Sequence, residues 1–132
     1  MLRRPFLALP ALMALAACQR PAAPAAGARR ASVFFTQDSA GLDESSQATI
    51  AEAARAAAAS PGAPVTVLGF AAPDTGTTAF NRTLAQARAQ NVADALVAAG
   101  VPASRIRIQS RGAVPFDLVP TESRRVEIVI GG

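Results

Sequence analysis

The alternation of apolar and polar positions along the chain predicts four strands and two helices in the order β-α-β-α-β-β. Short runs rich in β-forming residues and bounded by turn residues indicate the strands, at 31–36, 64–70, 105–109 and 124–130. Longer segments without Gly or Pro indicate the helices, at 43–59 and 78–99. Short connections favour right-handed crossovers with both helices on one face. The predicted fold class is therefore α+β, a two-layer α/β sandwich with a four-stranded mixed sheet.

The ends of these elements carry recognisable signals. Asp43 is a suitable N-cap for the first helix, and Ser60-Pro61-Gly62 ends it. Gly100 followed by Pro102 ends the second helix. In the last two strands, alternate apolar residues are expected to face the core: Ile106, Ile108, Val126, Ile128 and Ile130.

The second helix is amphipathic, but two polar residues lie on its apolar side. At about 100° per residue, its apolar side chains share one arc: Leu84, Val92, Ala95, Leu96 and Ala99. Asn81 and Arg88 fall inside the same arc, two turns apart. A buried arginine is costly unless it is paired. Either this end of the helix overhangs the core, or Arg88 has an anionic partner.

The N-terminus predicts export. Two arginines precede a twelve-residue apolar run, 6–17, which is too short to span a bilayer comfortably and fits a secretory signal peptide at 1–17. The run leads into Leu15-Ala16-Ala17-Cys18, which resembles the lipobox of bacterial lipoproteins and implies a lipidated Cys18. An ordinary signal peptide with a chance cysteine is the alternative. Lipidation also accounts for the lone cysteine of an exported chain.

Residues 18–30 are rich in Pro and Ala and have no apolar period, which is typical of a linker. The predicted domain organisation is therefore a lipoprotein signal peptide at 1–17, a lipidated cysteine and linker at 18–30, and one folded domain at 31–132.

Composition narrows the chemistry. The chain has 13 basic residues, nine acidic residues, one Cys and no His. With Cys18 assigned to lipidation, no Ser-His-Asp triad, Cys-His pair or common metal cluster is available, so we expect no enzyme, no metal and no cofactor. Removing residues 1–17 takes away two arginines and leaves a net charge of about +2, too small and scattered for nucleic-acid binding.

The folded part carries motifs known from one family. The segments are Leu68-Gly69-Phe70, Phe80-Asn81-Arg82-Thr83-Leu84, Gln86-Ala87-Arg88-Ala89 and Ser123-Arg124-Arg125-Val126-Glu127. Their order and spacing are similar to the G-[HYF]-[TA]-D, Y-N-x-x-L-S-x-x-R-A and N-R-R-V-E patterns of the OmpA-like domain, a peptidoglycan-binding module of bacterial envelope proteins. The resemblance covers residues 32–130.

The resemblance implies a pocket between the second strand's turn and the second helix, which takes the diaminopimelate of the peptidoglycan stem peptide. By position, Arg88 grips a ligand carboxylate and Asn81 helps to fix the loop. A guanidinium suits this role, because its planar fork can bind a carboxylate at two points. Arg124 and Arg125 straddle a strand, so one faces outward, and Arg125 has the better claim to the pocket.

The aspartate that receives the ligand's ammonium in the family does not carry over. Its position is Ala72, and Asp74 lies two residues later in a turn that is one residue longer. Asp74 either reaches the pocket from a shifted loop or only stabilises the turn at 73–76. Ala85 and Ser123 also depart from the motifs. These departures concern ligand recognition more than fold.

Taken with the lipobox, the resemblance implies an outer-membrane lipoprotein whose periplasmic domain binds peptidoglycan non-covalently and is not an enzyme. Gln19 after Cys18 favours sorting to the outer membrane. The alternative is a degenerate domain with a structural or partner-binding role and no peptidoglycan binding. Tol-type envelope proteins are the protein partners suggested by the resemblance, and the oligomeric state stays open.

Overall fold

A four-stranded sheet covered by two helices forms the part of the chain that the computed structural model describes, residues 27–71, 77–113 and 123–131. The strands are β1 (Arg29–Phe34), β2 (Val65–Ala71), β3 (Ile106–Ala113) and β4 (Arg125–Ile130). The helices are α1 (Glu44–Ala59) and α2 (Thr78–Ala98), and a 3-10 turn at Ala103–Arg105 leads into β3. The predicted element order and fold class are confirmed.

The sheet is mixed, with the strand order β1-β4-β2-β3. β4 runs antiparallel to both of its neighbours, and β2 pairs with β3 in parallel. Consequently β1, β2 and β3 point the same way, and their carboxyl ends lie at one end of the sheet. Phe34 and Ala71, the last residues of β1 and β2, therefore lie at this same end.

Both helices pack on one face of the sheet. The core joins alternate residues of the strands to apolar positions of the helices: Val33, Ile50, Ala53, Ala57, Val65, Val67, Val92, Leu96, Val126, Ile128 and Ile130. α2 lies unusually close to β2, because a Cβ on Gly69 would overlap the carbonyl oxygen of Ala85. Only glycine therefore allows this approach of helix and strand.

The predicted helix ends are confirmed. Asp43 caps α1, and its Oδ1 accepts a hydrogen bond from the Ser46 backbone at 2.7 Å, which lowers the pKa of the Asp43 carboxyl. Gly100 ends α2 with a φ of +103°, and the backbone N–H of Val101 turns back to the Leu96 carbonyl at 3.0 Å. This left-handed C-cap favours glycine.

Some boundaries differ from the prediction. β1 begins two residues early, because Arg29 and Arg30 pair with β4, so the predicted linker boundary at residue 30 falls inside a strand. β3 extends past residue 109 to Ala113. Strand pairing uses backbone groups, so polar ends of edge strands leave no apolar pattern to detect.

Not every apolar position of α2 is buried. Ala99, which the helical wheel placed on the buried arc, is exposed at the C-cap, and Phe80 in the first turn is 43% exposed. Neither α1 nor α2 is both long and apolar enough to cross a bilayer. Cys18 and the predicted signal peptide lie outside the described residues.

Candidate functional site

Asn81 and Arg88 both lie on the buried side of α2. Asn81 is 2% exposed and Arg88 is 0% exposed, the largest fully buried side chain among the described residues. The helical wheel therefore placed both residues correctly, and this end of α2 does not overhang the core. A fully buried guanidinium needs partners, and the surrounding backbone supplies them.

Arg88 is held by three backbone carbonyls. Its Nε donates to the Ser39 oxygen at 2.8 Å, its Nη1 to Phe70 at 3.2 Å and its Nη2 to Thr36 at 3.0 Å. The side chain thus ties the loop after β1 to the end of β2. A guanidinium has five N–H groups, so one on each terminal nitrogen remains without a partner among the described residues.

The loop between β1 and α1 is shaped to present two of these carbonyls, those of Thr36 and Ser39. Asp38 has a φ of +55°, and the Ser39 backbone N–H donates to the Thr36 carbonyl at 3.3 Å across the turn. One helical turn beyond Arg88, the Asn91 side chain donates to the Ala40 carbonyl at 2.8 Å. Two side chains of α2 therefore fix successive carbonyls of one loop.

The charge on Arg88 is held in an unfavourable environment. Burial lowers the pKa of its guanidinium to about 10, and repulsion from Arg124 adds to this, while attraction from Asp38 opposes it. The guanidinium carbon also lies 5.1 Å from the centre of the Phe35 ring. At neutral pH Arg88 stays charged, in a cluster with a second cation and one exposed carboxylate.

Arg124 and Arg125 lie differently with respect to Arg88. Arg125 shares its face of β4 with Glu127, opposite the helices, and its Nε pairs with the Glu127 carboxylate at 3.0 Å. Its guanidinium lies 4.4 Å from the centre of the Phe70 ring. Arg125 therefore lies on the side of β4 that faces away from the helices and from Arg88.

Arg124 is instead the arginine whose charge acts on Arg88. Beside it, Ser123 is fully buried, and its Oγ has no hydrogen-bond partner within the described ranges. A buried hydroxyl without a partner is uncommon and is one of the groups to which a ligand can bind. Ser123 was noted in the sequence only as a departure from the motif.

The predicted ammonium-binding residue lies outside the described residues, since Asp74 and Ala72 fall in 72–76. Asp38 is an acidic residue that the sequence prediction missed, because it lies in a segment assigned only as a polar loop. The strand order could have indicated it, because β1 and β2 run in the same direction and their carboxyl ends lie at one end of the sheet. No group of three or more metal-ligating side chains occurs among the described residues.

A family model described as the OmpA family matches residues 34–125. Outer membrane protein 40 of Porphyromonas gingivalis is 38% identical over 80 residues, which is 61% of this chain and 21% of that protein. The chain thus spans about a fifth of the length of this relative.

Solved structures share the fold. The peptidoglycan-associated lipoprotein of Burkholderia pseudomallei has a TM-score of 0.69 at 26% identity, with 76% of this chain and 89% of that chain covered. The cell wall anchor of the T6SS of Pseudomonas aeruginosa has a TM-score of 0.65 at 26% identity, with 80% and 82% covered. The OmpA-like domain of FopA1 from Francisella tularensis has a TM-score of 0.70 at 24% identity, with 77% and 71% covered.

Proposed function

The chain belongs to the OmpA family, and on that premise we propose that its folded domain binds peptidoglycan non-covalently on the periplasmic side of the bacterial envelope. Two of the similar structures are a peptidoglycan-associated lipoprotein and a cell wall anchor, which supports an envelope role of this general kind. The absence of His from the whole chain supports a non-catalytic role.

The observation that carries the proposal is the arrangement around Arg88. Three carbonyls fix the plane of the guanidinium, and one N–H on each terminal nitrogen is left to donate to a ligand carboxylate. The site is preorganised, because the loop after β1 and the end of β2 already hold the arginine. The burial of Arg88 strengthens a charge-assisted hydrogen bond. The ligand carboxylate in this proposal is that of stem-peptide diaminopimelate.

A zwitterionic amino-acid end also needs a partner for its ammonium. Asp38 supports this half of the proposal, since its carboxylate is near enough to attract the charge of Arg88. Asp74 remains the candidate predicted from the motif. Arg124 is a second cation whose charge acts on Arg88, and Asn81 is buried on the same face of α2 as Arg88.

We further propose that the domain is carried by a lipid anchor on Cys18 in the outer membrane, after removal of residues 1–17. The lipobox-like sequence and Gln19 support this arrangement. Because β1 begins at Arg29, the tether between the anchor and the sheet comprises residues 19–28. At full extension such a segment reaches about 35 Å. Tol-type proteins remain suggested partners in the envelope.

A degenerate domain without peptidoglycan binding is the second candidate, and the complete burial of Arg88 favours it. In that case Arg88 only cross-links the loop after β1 to β2, and the substitution at Ala72 reflects a lost ligand. The two candidates make opposite predictions about binding to the cell wall.

The deciding experiment is co-sedimentation of the full-length chain with purified sacculi, with free diaminopimelate as competitor. We expect the chain to pellet, and Arg88→Lys to reduce binding at least about tenfold, because lysine keeps the charge but lacks the planar fork. Asp38→Asn is expected to weaken binding less. Zymography on the same sacculi should show no cleared band.

Arg105→Ala is the matched control, because Arg105 also binds backbone carbonyls of three residues but lies at the opposite end of the sheet. Equal losses for Arg88→Lys and Arg105→Ala would mean that the effect is structural. Failure of the unmodified chain to pellet would support the degenerate domain.

A further inference from the structure

β1 is an edge strand with a free side. In the described part of the sheet it pairs with β4 only. The Phe35 backbone N–H donates to the Arg124 carbonyl, so odd-numbered residues of β1 direct their backbone groups to β4. The N–H and C=O groups of Arg30, Ser32 and Phe34 therefore point outward. An edge of this kind is a template for pairing with another strand.

The side chains along this edge differ in character at its two ends. Arg29 and Arg30 lie at the amino end, beside a cleft of about 350 Å³ that Glu52 and Ala56 of α1 also line. The carboxyl end carries Phe34, which is 49% exposed. A second cleft of about 310 Å³ lies there, and its lining includes Ser32, Phe34, Asp43 and Ser45. One end of the edge is cationic, and the other is aromatic and acidic.

We propose that β1 pairs antiparallel with β1 of a second copy, across a two-fold axis at Ser32, to form a continuous eight-stranded sheet. In this register the three outward-facing residues meet outward-facing residues of the second copy, so the ladder of hydrogen bonds is complete. Ser32 lies opposite Ser32 of the other copy, and each Arg30 lies opposite a Phe34. Every contact is made twice, as a two-fold interface requires.

Charge selects this register over others. The Arg30 side chain is 65% exposed, and its ion pair with Glu127 is long, at 3.5 Å. Each Arg30 guanidinium can therefore stack on the opposite Phe34 ring. Arg29 of one copy approaches the acidic start of α1, Asp43 and Glu44, of the other. A parallel pairing in register would place Arg30 beside Arg30 and is therefore disfavoured. Charged residues on an edge strand oppose general aggregation. Here Arg29 and Arg30 also allow one self-complementary pairing of the edge.

Cross-linking on the two-fold axis tests the proposal. The full-length chain with Ser32→Cys is treated with a short bis-maleimide at micromolar concentration, and we expect a covalent dimer. Arg107→Cys, on the opposite edge strand β3, is the matched control, and both variants keep Cys18. A dimer yield for Ser32→Cys no higher than that for Arg107→Cys or the unmodified chain would overturn the proposal. Cross-linking to a different protein instead would also overturn it.

A charge exchange tests the register. In the Ser32→Cys background, Phe34→Arg places two cations opposite each other, and we expect the dimer yield to fall at least about fivefold. Adding Arg30→Glu to that variant creates an opposite-charge pair and should restore the yield. Circular dichroism verifies that each variant is folded. A yield that stays unchanged in Phe34→Arg, or that is not restored by Arg30→Glu, would exclude this register.

Discussion

Two arginines at opposite ends of the sheet are each held by the carbonyls of three residues, yet they differ in their surroundings. Arg105, just before β3, donates to Ala57, Ser60 and Ala63 at 2.7–3.1 Å. These carbonyls lie at and just beyond the end of α1, whose last turn has no basic residue of its own. Arg105 thus acts as the C-terminal cap of a helix that is distant in sequence.

Arg88 donates similar hydrogen bonds in a different electrostatic setting. Its carbonyls come from a loop and a strand end, it is fully buried, and Arg124 and Asp38 act on its charge. Arg105 uses four hydrogen bonds and Arg88 uses three. The number of carbonyl partners therefore does not distinguish Arg105 from Arg88, for which ligand binding is proposed. The two arginines differ instead in the charges near them and in the number of N–H groups left without a hydrogen bond among the described residues.

The largest expected effect is that of Arg88→Ala on stability. We expect the free energy of unfolding to fall by about 3 kcal/mol, because three carbonyls lose a charged donor in a buried site. Chemical denaturation followed by far-UV circular dichroism measures this, since the chain has no Trp or Tyr. A loss below about 1 kcal/mol would show that the buried guanidinium contributes little to folding and is retained for another reason.

Arg105→Ala is expected to cost about 1–2 kcal/mol, less than Arg88→Ala, because Arg105 is only partly buried and water can reach the freed carbonyls. The same denaturation experiment measures it. Sacculus binding should be unchanged within error. If binding fell with Arg105→Ala while the protein remained folded, the distinction between the two arginines would be wrong.

Arg124→Gln should have the smallest effect on stability, within about 1 kcal/mol, since it removes a repulsion as well as a contact. Loss of the neighbouring charge raises the pKa of Arg88 toward its ordinary value, so Arg88 stays charged. We nevertheless expect weaker sacculus binding, because one cation of the cluster is gone. Unchanged binding in co-sedimentation would remove Arg124 from the site.

Much of the fold followed from local patterns. Helix caps such as Asp43 and Gly100 and the alternation in β4 determined the element order and the buried faces. The start of β1 could not be predicted, because Arg29 and Arg30 pair with β4 through their backbone and leave no apolar pattern in the sequence. Which of Arg124 and Arg125 lies on the helix side depends on which alternate residues of the strand face the core. Two adjacent arginines do not indicate this in the sequence.

Only some residues of the candidate site could be identified from the sequence. Arg88 and Asn81 could be identified because polar residues on an apolar arc violate the helical pattern. The partners of Arg88 could not, because backbone carbonyls occur at every residue and only tertiary structure brings Thr36, Ser39 and Phe70 together. Asp38 was not predicted, because its position near Arg88 comes from the strand order, which brings the carboxyl ends of β1 and β2 to one end of the sheet.

The antiparallel pairing of β1 with β4 also has a mechanical consequence. The chain enters β1 at Arg29, and Arg88 is bound beyond the carboxyl end of the same strand, at Thr36 and Ser39. A force that pulls on Arg29 while Arg88 is held acts along β1, whose length is roughly 20 Å. The hydrogen bonds to β4 lie across that direction, so they share the load and must break together. With the anchor on the amino-terminal side and the wall ligand at Arg88, as proposed, the domain would resist extension by shear of β1 against β4.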